Sequence, residues 1–205
     1  MRRKLDVVWH VGNLGQRPQK RRFSLEGCTL SVSRNPKTWT RIAGLGGGRT
    51  YRLRKKNARW FDALEGRGTA IAWALHHDFL TPKRWYRVRY EESDAPEEHW
   101  MDLPSLALAK SEAEYLDAAS IVAVDGYALG KNGVKYWKGC TVVTAAEAHK
   151  LFDAMAEHHA PVWYAEAMGY DGVWWEEELD PFGLSAPRGG LFRPEEWEIE
   201  LEHVR

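Results

Sequence analysis

The chain has few cysteines, no long apolar run and no net charge. Its 205 residues contain two cysteines, Cys28 and Cys140, whose spacing matches neither a disulfide framework nor a zinc motif. A reducing, cytoplasmic setting is therefore expected. The apolar stretches are far shorter than the roughly 20 residues that a membrane helix needs, so the sequence predicts no membrane span.

Aromatic and aliphatic residues are plentiful by contrast. The sequence is 44% hydrophobic and contains 11 tryptophans, which is sufficient for a packed core without disulfides or metals. No internal repeat and no linker-like tract interrupts it. We therefore expect a single domain over residues 1–205, with most tryptophans in its core or at the core's rim.

The neutral total conceals an uneven distribution of charge. Residues 1–60 contain 16 Lys and Arg against two acids, whereas residues 150–205 contain four against 13. One interpretation is a positive surface that attracts phosphates. The other is that the basic third pairs with the acidic third inside one compact domain.

Local patterns indicate scattered helices among more numerous strands, which is typical of an α+β fold. The first strand predicted is 5–11, with Leu5, Val7, Trp9 and Val11 buried. A helix over 144–155 begins with a capping box at Thr144 and Glu147. Further strands are predicted at 30–33, 49–54, 85–90, 121–124 (buried), 169–175, 190–192 and 197–201, and further helices after Asn35-Pro36 and at 69–77 and 111–119.

Several familiar site patterns do not fit. The glycine-rich run 44–48 lacks the Gly-Lys-Ser/Thr ending of a P-loop. The pairs His76-His77 and His158-His159 lack the spacing of a zinc protease, so no metal site is expected. No Gly-x-Ser-x-Gly elbow is present either, and hydrolase chemistry has no support.

Three separated segments fit together better than any of them does alone. They are Trp9-His10-Val11-Gly12, Leu30-Ser31-Val32-Ser33 before a Pro-Lys-x-Trp helix, and Gly-Tyr-Asp-Gly-Val-Trp-Trp at 169–175 leading into an acidic stretch over 176–180. Their order resembles that of toxin-like members of the ADP-ribosyltransferase fold, from residue 5 to about 201. The resemblance implies an α+β fold with split, mainly antiparallel sheets and peripheral helices.

The resemblance also implies NAD as substrate and a role for each segment. His10 would bond a ribose hydroxyl of NAD, and Gly12 would let the backbone approach the carboxamide. Cleavage of the bond between nicotinamide and ribose forms an oxocarbenium-like centre, which a late carboxylate would stabilise. The implied catalytic residues are His10, Glu176, Glu178 and Asp180, and the implied NAD-binding residues are His10, Gly12, Ser31, Ser33, Arg34, Trp39, Arg49 and Tyr51.

The sequence also departs from the family pattern. Where the family commonly has its acid, this chain has Ser185-Ala-Pro-Arg188, and an arginine cannot replace a carboxylate. Ser31 and Ser33 also fit a purely structural role at the start of the next helix, Glu176–Glu178 fits a solvated charge run, and Asp171 fits a turn.

The function expected is transfer of ADP-ribose from NAD to a nucleic acid or protein, with release of nicotinamide. The alternatives are a non-catalytic nucleic-acid-binding module, suggested by the basic third, and one half of a toxin and neutralising-protein pair, suggested by the many tryptophans.

Overall fold

A computed structural model of the protein describes residues 2–12, 14, 28–37, 40, 48–92, 95–117, 120–140, 143–175 and 188–202. For residues 2–4, 91–92 and 95–98 it describes the backbone alone. Every helix in these ranges is too short or too polar to pass through a bilayer.

The backbone of eleven strands and five α-helices is described over their full length. The helices are α1 (Arg67–His76), α2 (Leu106–Tyr115), α3 (Lys131–Cys140), α4 (Ala145–Phe152) and α5 (Ala156–Ala167). The strands are β1 (Arg2–Lys4), β2 (Val7–Val11), β3 (Leu30–Ser33), β4 (Thr50–Arg54), β5 (Arg59–Asp62), β6 (Leu80–Glu92), β7 (Ala95–Leu103), β8 (Ser120–Leu129), β9 (Gly172–Trp175), β10 (Arg188–Leu191) and β11 (Glu198–Glu202).

The strands form two sheets. The larger has eight strands in the order β1-β5-β9-β10-β3-β2-β4-β11, and the smaller has three in the order β7-β6-β8. All recorded strand pairs are antiparallel except β5 with β9. The predicted α+β class with mainly antiparallel sheets is confirmed.

The eight-stranded sheet has a hydrophobic cluster on each face, because successive side chains of a strand point to opposite sides. Phe61, Val173 and Trp175 pack into a cluster with helices α1 and α5. Trp60 and Trp174 lie on the other face, in edge contact at 5.7 Å, with Val8, Val32, Leu53, Leu191 and Trp197.

The face predicted for the first strand is wrong. Val8 and His10 are buried, whereas Leu5, Val7 and Trp9 are only half-buried; of the four residues predicted to be buried, only Val11 is. Both faces of this strand carry apolar residues, so alternation alone did not identify the inner face. Val8 is buried because it lies opposite Leu53 of β4, in the cluster around Trp60.

Two later elements also differ from the prediction. Helix α5 was not among the predicted helices, and Pro161 lies inside it and is buried. An internal proline costs about 3 kcal/mol, but the flanking Ala160 and Val162 are fully buried and their packing outweighs that cost. The segment 121–124, predicted to be buried, belongs to edge strand β8 and leaves Val122 42% exposed.

The prediction that the two cysteines do not form a bridge is wrong. Cys28, just before β3, is disulfide-bonded to Cys140 at the end of α3, with the Cα atoms 5.6 Å apart. The two cysteines are 112 residues apart in the sequence, so no spacing motif indicated that they pair. The cysteines therefore no longer favour a reducing compartment.

The basic strand β4 lies beside the acidic strand β11. Arg54 is opposite Glu198 and Arg52 is opposite Glu200. Just beyond β4, the Nζ atom of Lys55 lies 2.5 Å from Glu196. In this part of the chain the basic third pairs with the acidic third, as the second charge interpretation predicts.

Candidate functional site

His10 occupies a buried position near the end of β2. Its side chain is 9% exposed, and its ring lies beside that of Tyr51, its partner in β4, with the centroids 6.4 Å apart and the planes 25° apart. The Nδ1 atom is 2.8 Å from the carbonyl oxygen of Ser31 in β3. Three strands therefore determine the position of this imidazole.

The contact with Ser31 also determines where the proton of the ring lies. A carbonyl oxygen can only accept a hydrogen bond, so Nδ1 must be the protonated donor. In the neutral imidazole, Nε2 is then the acceptor. His10 therefore has the tautomer that can receive a hydrogen bond from a hydroxyl group at Nε2.

Gly12 lies next to that acceptor atom. Its φ of +138° belongs to a region that side-chain-bearing residues rarely adopt, and a Cβ atom there would be 3.2 Å from the Nε2 of His10. The Gly12 amide donates to the carbonyl oxygen of Arg49 at 2.9 Å. A side chain at position 12 would therefore crowd the Nε2 atom, which is buried.

These contacts bring together five residues that the sequence proposed for NAD binding. His10, Gly12, Ser31, Arg49 and Tyr51, here called the His10 cluster, come from β2, β3 and β4 and the residues beside them. Arg49 is exposed, whereas Tyr51 is half-buried. The cluster combines a nitrogen acceptor, a phenol hydroxyl and a guanidinium, which can bind hydroxyl and phosphate groups.

Ser33 and Arg34 are placed differently. Ser33 is opposite Trp9, so its side chain points to the opposite face from His10. Its hydroxyl accepts from the Asn35 amide at 3.1 Å and donates to the Asn35 carbonyl at 3.4 Å. These two bonds fit the structural role that was its alternative. Arg34 is exposed in the bend that follows β3.

The remaining predicted residues lie outside the described part of the chain. These are Trp39, Glu176, Glu178 and Asp180. The residue that precedes the acidic stretch, Trp175, is nevertheless placed. Trp175 in β9 pairs with Arg188 in β10. Arg188 also pairs with Ser33 in β3, and Ser33 pairs with Trp9 in β2. Three strand spacings separate Trp175 from Trp9, about 14 Å.

Sequence reasoning missed a second group of polar residues. The Nη2 atom of Arg67 in α1 lies 2.6 Å from Glu157 in α5, and the two line a small pocket with His158 and Trp175. Burial lowers the pKa of His158, and the positive charge of Arg67 lowers it further. The sequence contains no signal for this group, because α1 and α5 are about 90 residues apart.

Arg188 is a buried charged residue whose position no sequence pattern indicates. It is 6% exposed in the middle of the large sheet. A charged residue is rarely buried to this extent unless it is paired. Its strand neighbours are glycines, and no periodic pattern in Arg188-Gly-Gly-Leu191 marks it as an inner residue.

Comparisons with protein-family models, with curated proteins and with solved structures found no match for this chain. Among the described residues, histidines, cysteines and carboxylates do not gather in groups of three or more that could hold a metal ion.

Proposed function

We propose that the protein transfers ADP-ribose from NAD to a macromolecular acceptor, with release of nicotinamide. The observation that carries this proposal is the His10 cluster. Five residues assigned to NAD binding from three separate sequence segments are neighbours, and His10 has the tautomer needed to accept a bond from a ribose hydroxyl.

Each member of the cluster has a distinct task in this reaction. His10 accepts a bond from a ribose hydroxyl through Nε2 and so orients the sugar. Gly12 places its backbone close to that nitrogen, where a side chain would crowd it. The phenol ring of Tyr51 stacks on nicotinamide, and the exposed guanidinium of Arg49 pairs with the pyrophosphate.

A carboxylate completes the proposed site. The bond between nicotinamide and ribose breaks with its electron pair moving to nicotinamide, so positive charge develops on the ribose. An acid from Glu176, Glu178 or Asp180 stabilises that charge until a nucleophile of the acceptor bonds to the ribose carbon.

The acceptor is a nucleic acid or a protein. Pairing of β4 with β11 leaves less free positive charge than the sequence suggested, and this weighs against a purely nucleic-acid-binding module. A neutralising partner is proposed from the many tryptophans. The cytoplasmic location was expected from the cysteine spacing, and the Cys28–Cys140 bridge removes that support.

The experiment measures nicotinamide release from NAD by chromatography. We expect His10→Ala to reduce the rate at least a hundredfold, in the range for loss of a positioned catalytic group. His76→Ala is the matched control, since His76 is exposed at the end of α1. Tyr51→Phe should keep most of the activity, because stacking requires the ring and not the hydroxyl.

Mass spectrometry of protein and nucleic-acid pools after incubation with NAD identifies the acceptor by the added ADP-ribose mass. Unchanged NAD in the presence of the folded wild-type chain and both pools would refute the proposal. Salt-sensitive nucleic-acid binding that NAD does not alter would instead support the non-catalytic module.

A further inference from the structure

The disulfide lies close along the chain to the backbone group that orients His10. The chain runs from Cys28 through Thr29 into β3, and the Ser31 carbonyl oxygen in that strand is 2.8 Å from the Nδ1 atom of His10. Three residues span at most about 11 Å. The start of β3 therefore connects the bridge directly to the His10 cluster.

Two contacts tie Cys28 to helix α3. One is the disulfide to Cys140, and the other is a hydrogen bond of 3.0 Å that the Cys28 amide donates to the Tyr136 hydroxyl. Residues four apart in a helix lie on the same face, so Tyr136 and Cys140 hold Cys28 from one side of α3. The start of β3 is thereby fixed relative to this helix.

Helix α3 is firmly packed. Trp137 is 2% exposed, and its ring stacks on that of Phe152 with the centroids 3.9 Å apart and the planes 7° apart. Gly133 lies so close to the backbone of Phe79 that a Cβ atom there would be 2.5 Å from its carbonyl oxygen. Such close packing leaves the helix little room to move. When the bridge is broken, the start of β3 is therefore the side that shifts.

The junction of β3 with β2 is short. Among the described residues the ladder between them consists of Trp9 with Ser33, whereas β2 and β4 are in register along their full length. Ser33 is at the end of β3 that is remote from Cys28. β10 pairs with β3 from Leu30 to Ser33, so β3 stays in the sheet without the bridge. What changes is the position of the Ser31 carbonyl relative to β2.

We propose that reduction of the Cys28–Cys140 bridge switches the protein off by moving the Ser31 carbonyl away from His10. The imidazole then loses the acceptor that keeps its proton on Nδ1, and Nε2 is no longer reserved as an acceptor for a hydroxyl group. The loss of activity rests on the proposed function, whereas the change at His10 does not.

The reductant is a dithiol, either a small molecule or the exposed cysteine pair of a reducing protein. Both cysteines of the bridge are half-buried, so solvent reaches them in part. One thiolate of the reductant attacks a sulfur of the bridge, the S–S bond breaks, and the other cysteine leaves as a thiolate. The second thiolate of the reductant then displaces the first cysteine and closes the reductant's own disulfide. Two electrons and two protons pass from the dithiol to Cys28 and Cys140.

The first test follows the ring of His10 without NAD. The ¹⁵N shifts of the ring nitrogens are measured by NMR in the oxidised protein and after treatment with a dithiol, both without denaturant. We expect the proton on Nδ1 in the oxidised protein and an increased population with the proton on Nε2 after reduction. His159 is fully buried, 4.7 Å from the Trp137 ring, and its unchanged shifts control for general loosening. Unchanged shifts of His10, or equal changes at both rings, would overturn the proposal.

Tyr136→Phe tests whether the effect passes through Cys28. The variant loses the hydroxyl that accepts from the Cys28 amide but keeps the ring and the bridge. We expect a normal His10 ring while the bridge is intact and a larger change than in the wild type after reduction, because both ties to α3 are then lost. Tyr115→Phe, on a side chain that is 84% exposed on α2, is the matched control and should respond like the wild type. Identical responses of the two variants would contradict this route.

Nicotinamide release from NAD tests the consequence. Reduction should slow it several-fold or more, since displacement of a catalytic group by about 1 Å costs up to roughly a hundredfold, and reoxidation should restore it. Cys28→Ser with Cys140→Ser should have the low rate and should not respond to the dithiol. Equal rates in the oxidised and reduced wild type would refute the switch. Failure of the proposed function differs from this result: NAD is unchanged in both states while the His10 ring still responds to the bridge.

Discussion

The Nδ1 atom of His10 and the carbonyl oxygen of Ser31, 2.8 Å apart, join strand β2 to strand β3 through a side chain and a backbone group. The serine hydroxyl is not part of this contact. The orientation of the imidazole therefore depends on the path of β3 and not on which side chain residue 31 has.

Ser31→Ala should consequently keep His10 in the same tautomer. The backbone carbonyl remains, so Nδ1 should still carry the proton. The ¹⁵N shifts of the histidine ring, measured by NMR in the wild type and the variant, check this. If the His10 proton moves to Nε2 in Ser31→Ala, the serine hydroxyl is needed for the orientation after all.

Gly12→Ala should destabilise the protein. The left-handed φ at this position costs a residue with a Cβ atom about 1–3 kcal/mol, and the new methyl group would crowd the Nε2 of His10. Gly68→Ala is the matched control, because a Cβ atom there, inside α1, meets no atom within 4 Å. That variant should be neutral or up to about 1 kcal/mol more stable. Urea unfolding of both variants provides the comparison, and equal stabilities would contradict the strain assigned to Gly12.

Reduction of the Cys28–Cys140 bridge should lower the free energy of unfolding by about 2–4 kcal/mol, because the bridge closes a long loop and restricts the unfolded chain. Thiol titration of the denatured protein should detect free thiols only after treatment with a dithiol. Cys28→Ser with Cys140→Ser should match the reduced wild type and should not respond to the dithiol. Two free thiols in the untreated protein would show that the bridge does not form.

Asp171 should contribute to stability above about pH 4 and lose that contribution under acid. Burial by itself would raise the pKa of its carboxyl, but the bonds from the Arg59 amide and from Lys55 outweigh burial, and the pKa is lowered. A lowered pKa in the folded state means that the unfolded chain takes up the proton first as pH falls. The melting temperature of Asp171→Asn should therefore depend less on pH below 4 than that of the wild type.

Asp125→Asn is the control for this carboxyl. Asp125 forms an exposed ion pair with Arg84 at 3.4 Å, and such pairs add little to stability. A wild-type acid profile in Asp171→Asn, or a flattened profile in Asp125→Asn, would contradict the role assigned to Asp171.

His158 should destabilise the fold as pH falls below about 6.5. Burial and then Arg67 lower its pKa in the folded protein, while Glu157 partly opposes them. The unfolded chain then binds more protons than the folded chain near pH 6, so stability rises with pH there. Histidine NMR titration should find the midpoint of His158 below the ordinary histidine value, and His158→Gln should weaken the pH dependence of unfolding in this range. A midpoint at the ordinary histidine value would disprove this.

Patterns between near neighbours were predictable from the sequence. The capping box is confirmed, with the Thr144 amide donating to Glu147 at 2.7 Å and the Glu147 amide to the Thr144 hydroxyl at 3.2 Å. Strand 30–33 is confirmed with the predicted bounds. Helix α5 was missed because Pro161 is a local signal for a helix end, whereas burial of its neighbours is decided by the rest of the fold.

The candidate site also combines features set by local sequence with features set by long-range packing. The sequence by itself determined that His10 and Tyr51 belong to strands, because alternation acts over one or two residues. Only the tertiary structure decided that His10 faces inward, that β4 lies beside β11, and that Cys28 meets Cys140. Strand order brings together residues more than 100 positions apart, and it depends on which packing buries the most apolar surface, a property of the whole chain rather than of any segment.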